Sequence, residues 1–407
     1  MALIVQKFGG TSVGSIERIE AVADLVVKTK QQGHQVVVVL SAMSGETNRL
    51  INLAKQIDAR PSSRELDVLV TTGEQVSIAL LAMAIIKRGH SAVSLLADQV
   101  NIQTDNMFGK ARITDVAATR LKHELEHNRI AIIAGFQGRD IEGNITTLGR
   151  GGTDTSAVEV AGAIGADECQ IYTDVDGVYT TDPRIEPKAR RMSHVTFEEM
   201  LEMASLGAKV LHIRCVEAAG KYNLPIRVLS SFNPDQGTLI SFEETDMKKS
   251  VVSGIAFNRD ESLVRIDGVQ SGTHNLAAIL KLFAESGIEV DMINQVNHNV
   301  DKVDYAFTVH TNDFEQALEV LQNNRHIISS TDISGNSAVA KVSAVGVGMK
   351  SHSGVASLFF DALAQENIRV QLVSTSEIKI SVLIEEKYLE LAVRALHKVF
   401  LTESESI

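Results

Sequence analysis

Three short segments combine glycines with charged side chains in a way suited to phosphoryl chemistry. They are Lys7-Phe8-Gly9-Gly10-Thr11-Ser12, Thr147-Leu148-Gly149-Arg150-Gly151-Gly152-Thr153-Asp154-Thr155, and Thr173-Asp174-Val175-Asp176-Gly177-Val178-Tyr179-Thr180-Thr181-Asp182-Pro183-Arg184. Each reads as the end of an apolar strand running into a glycine loop. Glycines lack Cβ and let backbone N–H groups approach phosphate oxygens, and a following helix adds its positive end. This is not a P-loop, because Lys7 precedes its glycines and no GxxxxGK[ST] occurs in the chain. Lys7, Arg150, Arg184 and Lys209 make an island of positive charge in a chain of formal net charge −12, which suits anionic substrates. Taken singly, each feature also has a plainer reading. A lone KxGG is a common strand-end turn, Glu74 an acid stabilised by a helix N-terminus, and Asp182-Pro183 an ordinary turn. Tyr172, Phe197 and Met200 are assigned to packing.

The charge balance also argues against a nucleic-acid or anionic-membrane partner, since both are held largely by cationic patches. Apolar content of 44% with 22% charged residues is that of a globular chain. No uninterrupted apolar run approaches the ~20 residues of a membrane span. The chain opens on a strand-like Leu3-Ile4-Val5 without the features of a signal peptide. Cys169 and Cys215 form neither a CxxC pair nor a cluster with histidines, so no disulfide framework or zinc pattern is expected, and a reducing cytoplasm fits. At 407 residues the chain exceeds one ordinary core, and two or three domains are expected.

The elements that must position these segments alternate over the first 230 or so residues. Leu3 to Phe8 reads as a strand, and Ile16, Ile19, Val22, Ala23, Val26 and Val27 then recur at helical spacing. Val36 to Leu40 and Ile130 to Ala134 are continuous apolar runs, the mark of strands buried on both faces of a mainly parallel sheet. Thr196 with Glu199 forms a capping box, predicting a helix from Phe197 to about Ser205. The pattern predicts an α/β/α layered domain.

Past Ser250 the units shorten and repeat weakly. Leu263 to Gly268, a helix from about Leu276 and a strand from Ile288 match Val339 to Gly346, a helix from Val355 and a strand from Ile368. Each copy continues into a strand, Tyr305 to His310 or Lys379 to Ile384, and a second helix, Glu315 to Gln322 or Leu389 to Val399. Both read βαββαβ, and the shared order favours duplication over two unrelated α+β pieces.

The whole chain resembles aspartokinase. The resemblance is carried in order by the lysine-glycine start, Ser41-Ala42-Met43, Thr72-Gly73-Glu74-Gln75-Val76-Ser77, Arg150 to Thr155, Asp174 to Arg184, and Gly207-Ala208-Lys209. It implies a three-layer α/β/α amino-acid-kinase domain over 1–245, followed by two ferredoxin-like βαββαβ ACT domains. The first ACT domain, 263–335, would be inserted within the second, 250–262 with 338–407. The implied reaction is ATP-dependent phosphorylation of the side-chain carboxylate of L-aspartate, the first step toward lysine, threonine and methionine.

Residue roles follow from the same resemblance. Lys7, Arg150, Asp154 and Lys209 would be catalytic. Ser41, Thr47, Glu74, Arg150, Gly151, Gly152 and Thr153 would hold aspartate, with Arg150 pairing bidentately with its α-carboxylate and Glu74 taking its ammonium. Lys7, Phe8, Gly9, Gly10, Thr173, Asp174, Tyr179, Asp182, Arg184 and Lys209 would hold ATP, with Mg2+ bridging its phosphates through few protein ligands. A carboxylate nucleophile of pKa about 4 is already ionised at neutral pH, so no general base is needed. Catalysis would rest on aligning two anions and neutralising charge. Alternatives are an acid or carbamate kinase of the same fold acting on glutamate or N-acetylglutamate, and a silent amino-acid-binding regulator. The Glu74 and Arg150 motifs favour aspartate, and Lys7, Arg150, Asp154 and Lys209 together speak against the regulator.

For the ACT domains the resemblance implies a homodimer or tetramer and lysine and threonine as effectors, bound near Asp291, Gln295, Val355, Ser376 and Glu377. This chain departs from the family there. Ser271-Gly272-Thr273-His274-Asn275-Leu276 replaces an Asp-x-Pro-Gly-like turn, with His274 and Leu276 expected to crowd the pocket. Ser353, Ala356 and Arg369 stand where proline, threonine and asparagine are common, and an added cation beside an ammonium-bearing ligand is unfavourable. The expectation is weak inhibition by threonine plus lysine, or a changed effector.

Overall fold

A computed structural model describes residues 1–207, 210–233, 235–242, 251–297, 301–328, 330–352 and 354–402. The chain divides into two compact units. The first comprises Met1–Val178, Arg191–Ala204 and Lys209–Asp246, the second Tyr179–Arg190, Ser205–Ala208 and Met247–Ile407.

In the first unit the aliphatic runs become the centre of an eight-stranded sheet. Its order is His194–Thr196, Thr238–Ser241, Ile226–Ser230, Glu168–Thr173, Leu3–Phe8, Gln35–Leu40, Ile130–Ala134 and Ala92–Leu95. All neighbours run parallel except the Ile226–Ser230 and Thr238–Ser241 pair. Side chains alternate across a strand, so the two faces carry different residues. On one face Phe8, Val36, Val38, Leu40 and Ile132 pack against the helices Ile16–Gln31 and Thr72–Lys87 through Ile19, Val22, Val26, Ile78, Leu81 and Ile85. Lys7 points to the other face, where helix Gly152–Ile164 lies against the sheet with Ile213–Tyr222 beside it. The capping box forms as expected: Thr196 N and Oγ1 donate to Glu199 Oε2, and Glu199 N donates to Thr196 Oγ1, opening helix Phe197–Ser205.

Two features of this unit were not foreseen. Ile102–Thr104, Ile113–Val116, Gln137–Arg139 and Ile145–Thr147 form a separate four-stranded sheet. Strands this short carry too little alternation to be read as strands. The run Ser63–Lys87 reaches a mean hydropathy of 1.7, within the range of a membrane span, yet 56% of that window is buried within the protein. Its apolarity belongs to the core.

The second unit contains two antiparallel four-stranded sheets. One is ordered Val290–Asn297, Lys302–His310, Glu261–Gln270, Asp332–Asn336, the other Val370–Thr375, Lys379–Glu385, Val339–Val345, Gly254–Asn258. Gly254–Asn258 takes the place beside Val339–Val345 that Asp332–Asn336 takes beside Glu261–Gln270, so an upstream strand completes the second copy. The helix expected from Leu276 begins at Thr273. His274 is exposed there, while Leu276 packs against the core of its own copy. Between the copies Leu263, Met292, Val339, Leu372 and Leu383 form one apolar cluster. Beside it Lys341, almost fully buried, pairs with Glu261 at 3.0 Å and with Asp291.

Tyr179–Arg190 also belongs to this second unit, which differs from a boundary near residue 245. The reason is local bonding. Ile255 N donates to Thr180 O at 2.7 Å, Thr180 Oγ1 lies 3.0 Å from His397 Nε2, and Arg190 Nη2 donates to Leu401 O at 2.7 Å. Ile185 packs against the apolar core of the second copy.

Candidate active site

Neighbouring parallel strands end together in register, Phe8 opposite both Leu40 and Tyr172, and Leu40 opposite Ala134. Outside their carboxyl ends, where open α/β sheets hold ligands, lies a cavity of 530 Å3. It is lined by the loops after three strands, Gly9–Thr11, Ser41–Gly45 and Phe136, and by Gly149–Asp154 with Lys7, Thr47, Glu74 and Asp174.

Close backbone approach explains the glycines. A Cβ on Gly10 would come within 3.0 Å of Ala42 O, and Gly151, at φ +72°, would meet His212 Cβ at 2.5 Å. Gly151 precedes helix Gly152–Ile164, so that the helix N-terminus opens on the cavity with Thr153 and Asp154 in its first turn. Asp154 Oδ1 lies 2.6 Å from Lys7 Nζ, which aims the ammonium from the strand end. Ser41 Oγ donates to Thr153 Oγ1 at 2.9 Å and links two walls. Arg150 lies exposed and makes no ion pair among the described residues. Its guanidinium is available for an anion.

Glu74 is the most perturbed acid of the site. Its side chain is only 2% exposed. Oε1 accepts from Ala42 N at 3.0 Å, whereas Oε2 is buried without a partner. Burial, opposed only by backbone hydrogen bonds, pushes the carboxyl up to about 7. An orphaned buried carboxylate oxygen facing a cavity is an unmet demand for a cation. The helix N-terminal position of Glu74 is real, but its burial removes it from the class of solvated end-of-helix acids.

The cavity thus gathers Lys7, Gly9, Gly10, Ser41, Thr47, Glu74, Arg150, Gly151, Gly152, Thr153, Asp154 and Asp174. Other expected residues are not among those that line it. The Phe8 ring is fully buried and stacked on Tyr172 at 4.5 Å, so it is core, and Thr173 donates its hydroxyl to Asp174 Oδ1. Tyr179, Asp182 and Arg184 belong to the second unit, where Arg184 Nη2 donates to Asp182 Oδ2 at 2.6 Å. Lys209 and Ser353 fall outside the described residues.

Among the effector residues, Asp291 is held by Lys341, Val355 sits in the second copy's apolar core, and Gln295 donates to Asn297 Oδ1. Val355 therefore presents no side chain to a ligand. Ser376 Oγ accepts from Ile378 N at 3.4 Å, and Glu377 pairs with Lys350 at 3.4 Å.

Seven lining residues, Thr11, Ala42, Met43, Ser44, Gly45, Phe136 and Gly149, were not among the expected site residues, and Phe136 is the one with an unusual backbone. Phe136 adopts φ +67°, a strained conformation for an aromatic residue, held as Phe136 N donates to Ser156 Oγ and Leu148 N donates to Phe136 O. The adjoining Gly135 was its only sequence signal.

The amino acid kinase family model matches residues 2–230 and an ACT domain model matches 342–400. The chain is 60% identical to an aspartate kinase of Pseudomonas putida, covering 98% of both chains. It is 50% identical to an aspartokinase of Helicobacter pylori, covering 98% of this chain and 99% of that one. Among solved structures it is similar to Escherichia coli aspartokinase III in complex with aspartate and ADP, at 26% identity and a TM-score of 0.83 over 97% of this chain and 99% of the other. The same enzyme in complex with lysine and aspartate gives a TM-score of 0.77 at 26% identity, over 98% and 99%. The chain belongs to the amino acid kinase family and, within it, to the aspartate kinases.

Proposed function

We propose that the cavity transfers the γ-phosphoryl group of ATP to the side-chain carboxylate of L-aspartate, giving 4-phospho-L-aspartate and ADP. The observation that carries this reading is the presence of a buried carboxylate with one unpartnered oxygen, Glu74, and a guanidinium without an ion pair among the described residues, Arg150, on the walls of one cavity that also holds Lys7. Together Glu74 and Arg150 match the ammonium and α-carboxylate of an α-amino acid, leaving its side-chain carboxylate to face Lys7 and the helix N-terminus at Gly152. Gly9 and Gly10 present backbone to the phosphates, and Lys7, steadied by Asp154, offsets charge on the transferring group.

Among the described residues no cluster of three or more His, Cys, Asp or Glu could cage a metal ion. Of the cavity carboxylates, Asp154 is paired with Lys7 and Glu74 is assigned to the ammonium, so the exposed Asp174, without an ion pair among the described residues, would be the one to face a magnesium ion held chiefly by the nucleotide. Magnesium would supply charge neutralisation on the phosphates. Lys209 is assigned to the nucleotide side in this reading from the resemblance alone.

The proposed domain limits are a kinase domain over 1–245, a first ACT module over 263–335 and a second made of 250–262 with 338–407. The completing strand Gly254–Asn258 supports the last. Homodimer or tetramer formation through these modules, amino-acid effectors and a cytoplasmic location belong to the same proposal. A coupled assay of ADP release with aspartate, glutamate and N-acetylglutamate tests the substrate. Turnover confined to aspartate is expected, and turnover confined to either of the others would overturn it.

A further inference from the structure

Helices Ser63–Val70 and Thr72–Lys87 form one nearly continuous rod, because the intervening Thr71 keeps helical angles at φ −66° and ψ −13°. Asp67 and Glu74 are seven residues apart, close to two turns of helix, and so lie on one side of the rod. Glu74 reaches the cavity, while Asp67, 2% exposed, does not line it.

Asp67 instead makes a set of convergent bonds. Its Oδ2 accepts from Gly109 N and from Thr147 N, both at 2.9 Å, and its Oδ1 accepts from Thr147 Oγ1 at 2.8 Å. Thr147 O in turn accepts from Ala111 N at 2.8 Å. Loop and strand are thereby clamped to each other and to the rod. Beyond Thr147 the chain reaches Gly149, at φ +75°, where a Cβ would lie 3.0 Å from Gly109 O, and then Arg150. The backbone leading to Arg150 is therefore walled by the same loop that Asp67 holds. A second tie, Gln137 Nε2 to Thr71 O at 3.2 Å, joins the rod to the neighbouring strand of the same small sheet.

No cation pairs with Asp67 among the described residues, and burying a lone carboxylate is costly. That cost is offset only by donors that need two oxygens converging on one point. From this placement we propose that Asp67 is a positioning residue for the amino-acid substrate. It fixes Arg150 at a set separation from Glu74, so that one helical rod gauges the distance between the α-carboxylate and α-ammonium of the ligand. The proposal rests on the substrate assignment above and deepens it.

The test is a double-mutant cycle on the full chain, read as separate KM values for aspartate and ATP. Asp67→Ala should raise the aspartate KM on the order of 10-fold to 10²-fold, as for a misplaced binding group, with the ATP KM within about twofold. Asp67→Asn should recover most of the loss, since its carbonyl can accept both N–H groups while its amide donates to Thr147 Oγ1. In an Arg150→Ala background Asp67→Ala should raise the aspartate KM no further, because the group it positions is gone. Thr147→Val, which keeps shape and removes one donor, should move the aspartate KM in the same direction and carries the test if Asp67→Ala does not fold. Additive effects of Asp67→Ala and Arg150→Ala, or equal rises in both KM values, would overturn the proposal. An unchanged aspartate KM in Arg150→Ala alone would instead remove the substrate assignment beneath it.

Discussion

In the role proposed for it Glu74 must be ionised to hold an ammonium, yet its burial raises its folded value from 4.5 to about 7. On the linkage sign, a carboxyl raised on folding binds its proton more tightly in the native state. It stabilises fully below the unfolded value of 4.5, and that contribution is lost as pH rises through about 7. Function runs the other way: kcat/KM for aspartate should fall on the acid side with an apparent pKa near 7, and Glu74→Gln should abolish that limb along with most activity. In kcat the limb should move to lower pH, since a bound ammonium favours the carboxylate. A pH profile of both parameters checks this, and an acid limb unchanged in Glu74→Gln would assign it to another group.

Lys7→Ala should lower kcat by ~10²-fold or more, the scale of one lost transition-state donor. Arg150→Lys should raise the aspartate KM more than that for ATP, because an ammonium cannot copy a bidentate guanidinium. Steady-state kinetics separate the two, and an effect of Arg150→Lys confined to ATP would contradict the assignment. Most of the charged site residues were legible in the sequence, since strand ends, glycines and cations lie side by side there. Phe136 and Asp67 were not, because one acts through a backbone torsion and the other through three donors distant in sequence.

The buried aliphatic strands and the capped Phe197–Ser205 helix were readable because period and caps are local signals. The small sheet was not, since three- and four-residue strands are specified by the bonds they make to one another and to the rod. In the second unit the repeat order was readable, whereas the ion cluster of Lys341, Glu261 and Asp291 depends on two copies meeting. Burial raises the Glu261 carboxyl and Lys341 pulls it down. Lys341→Met would leave that carboxyl buried without its cation, held only by the Asn258 amide and the Thr308 hydroxyl, at a cost of about 3–5 kcal/mol for a broken buried pair. A carboxyl raised further on folding loses more stability as pH rises, so the variant's deficit in Tm should be larger at pH 8 than at pH 5. Equal deficits at both would show that Glu261 is not the group left unpaired.

For the whole molecule, the boundary read from sequence differs from the one drawn by contacts, because Tyr179–Arg190 is bonded to Ile255, His397 and Leu401. No local pattern marks such a segment. The altered turn before Thr273, the exposed Arg369 and the engagement of Asp291 by Lys341 all bear on effector binding. Initial rates titrated with lysine, threonine and both are expected to show weak inhibition, and strong synergy below millimolar effector would contradict that. The most direct test of the chemistry is to trap the product, because an acyl phosphate reacts with hydroxylamine. With Mg-ATP and hydroxylamine, aspartate should give aspartyl hydroxamate in step with ADP release. No hydroxamate from aspartate, alongside a clear product from glutamate, would contradict the assignment of this site to aspartate.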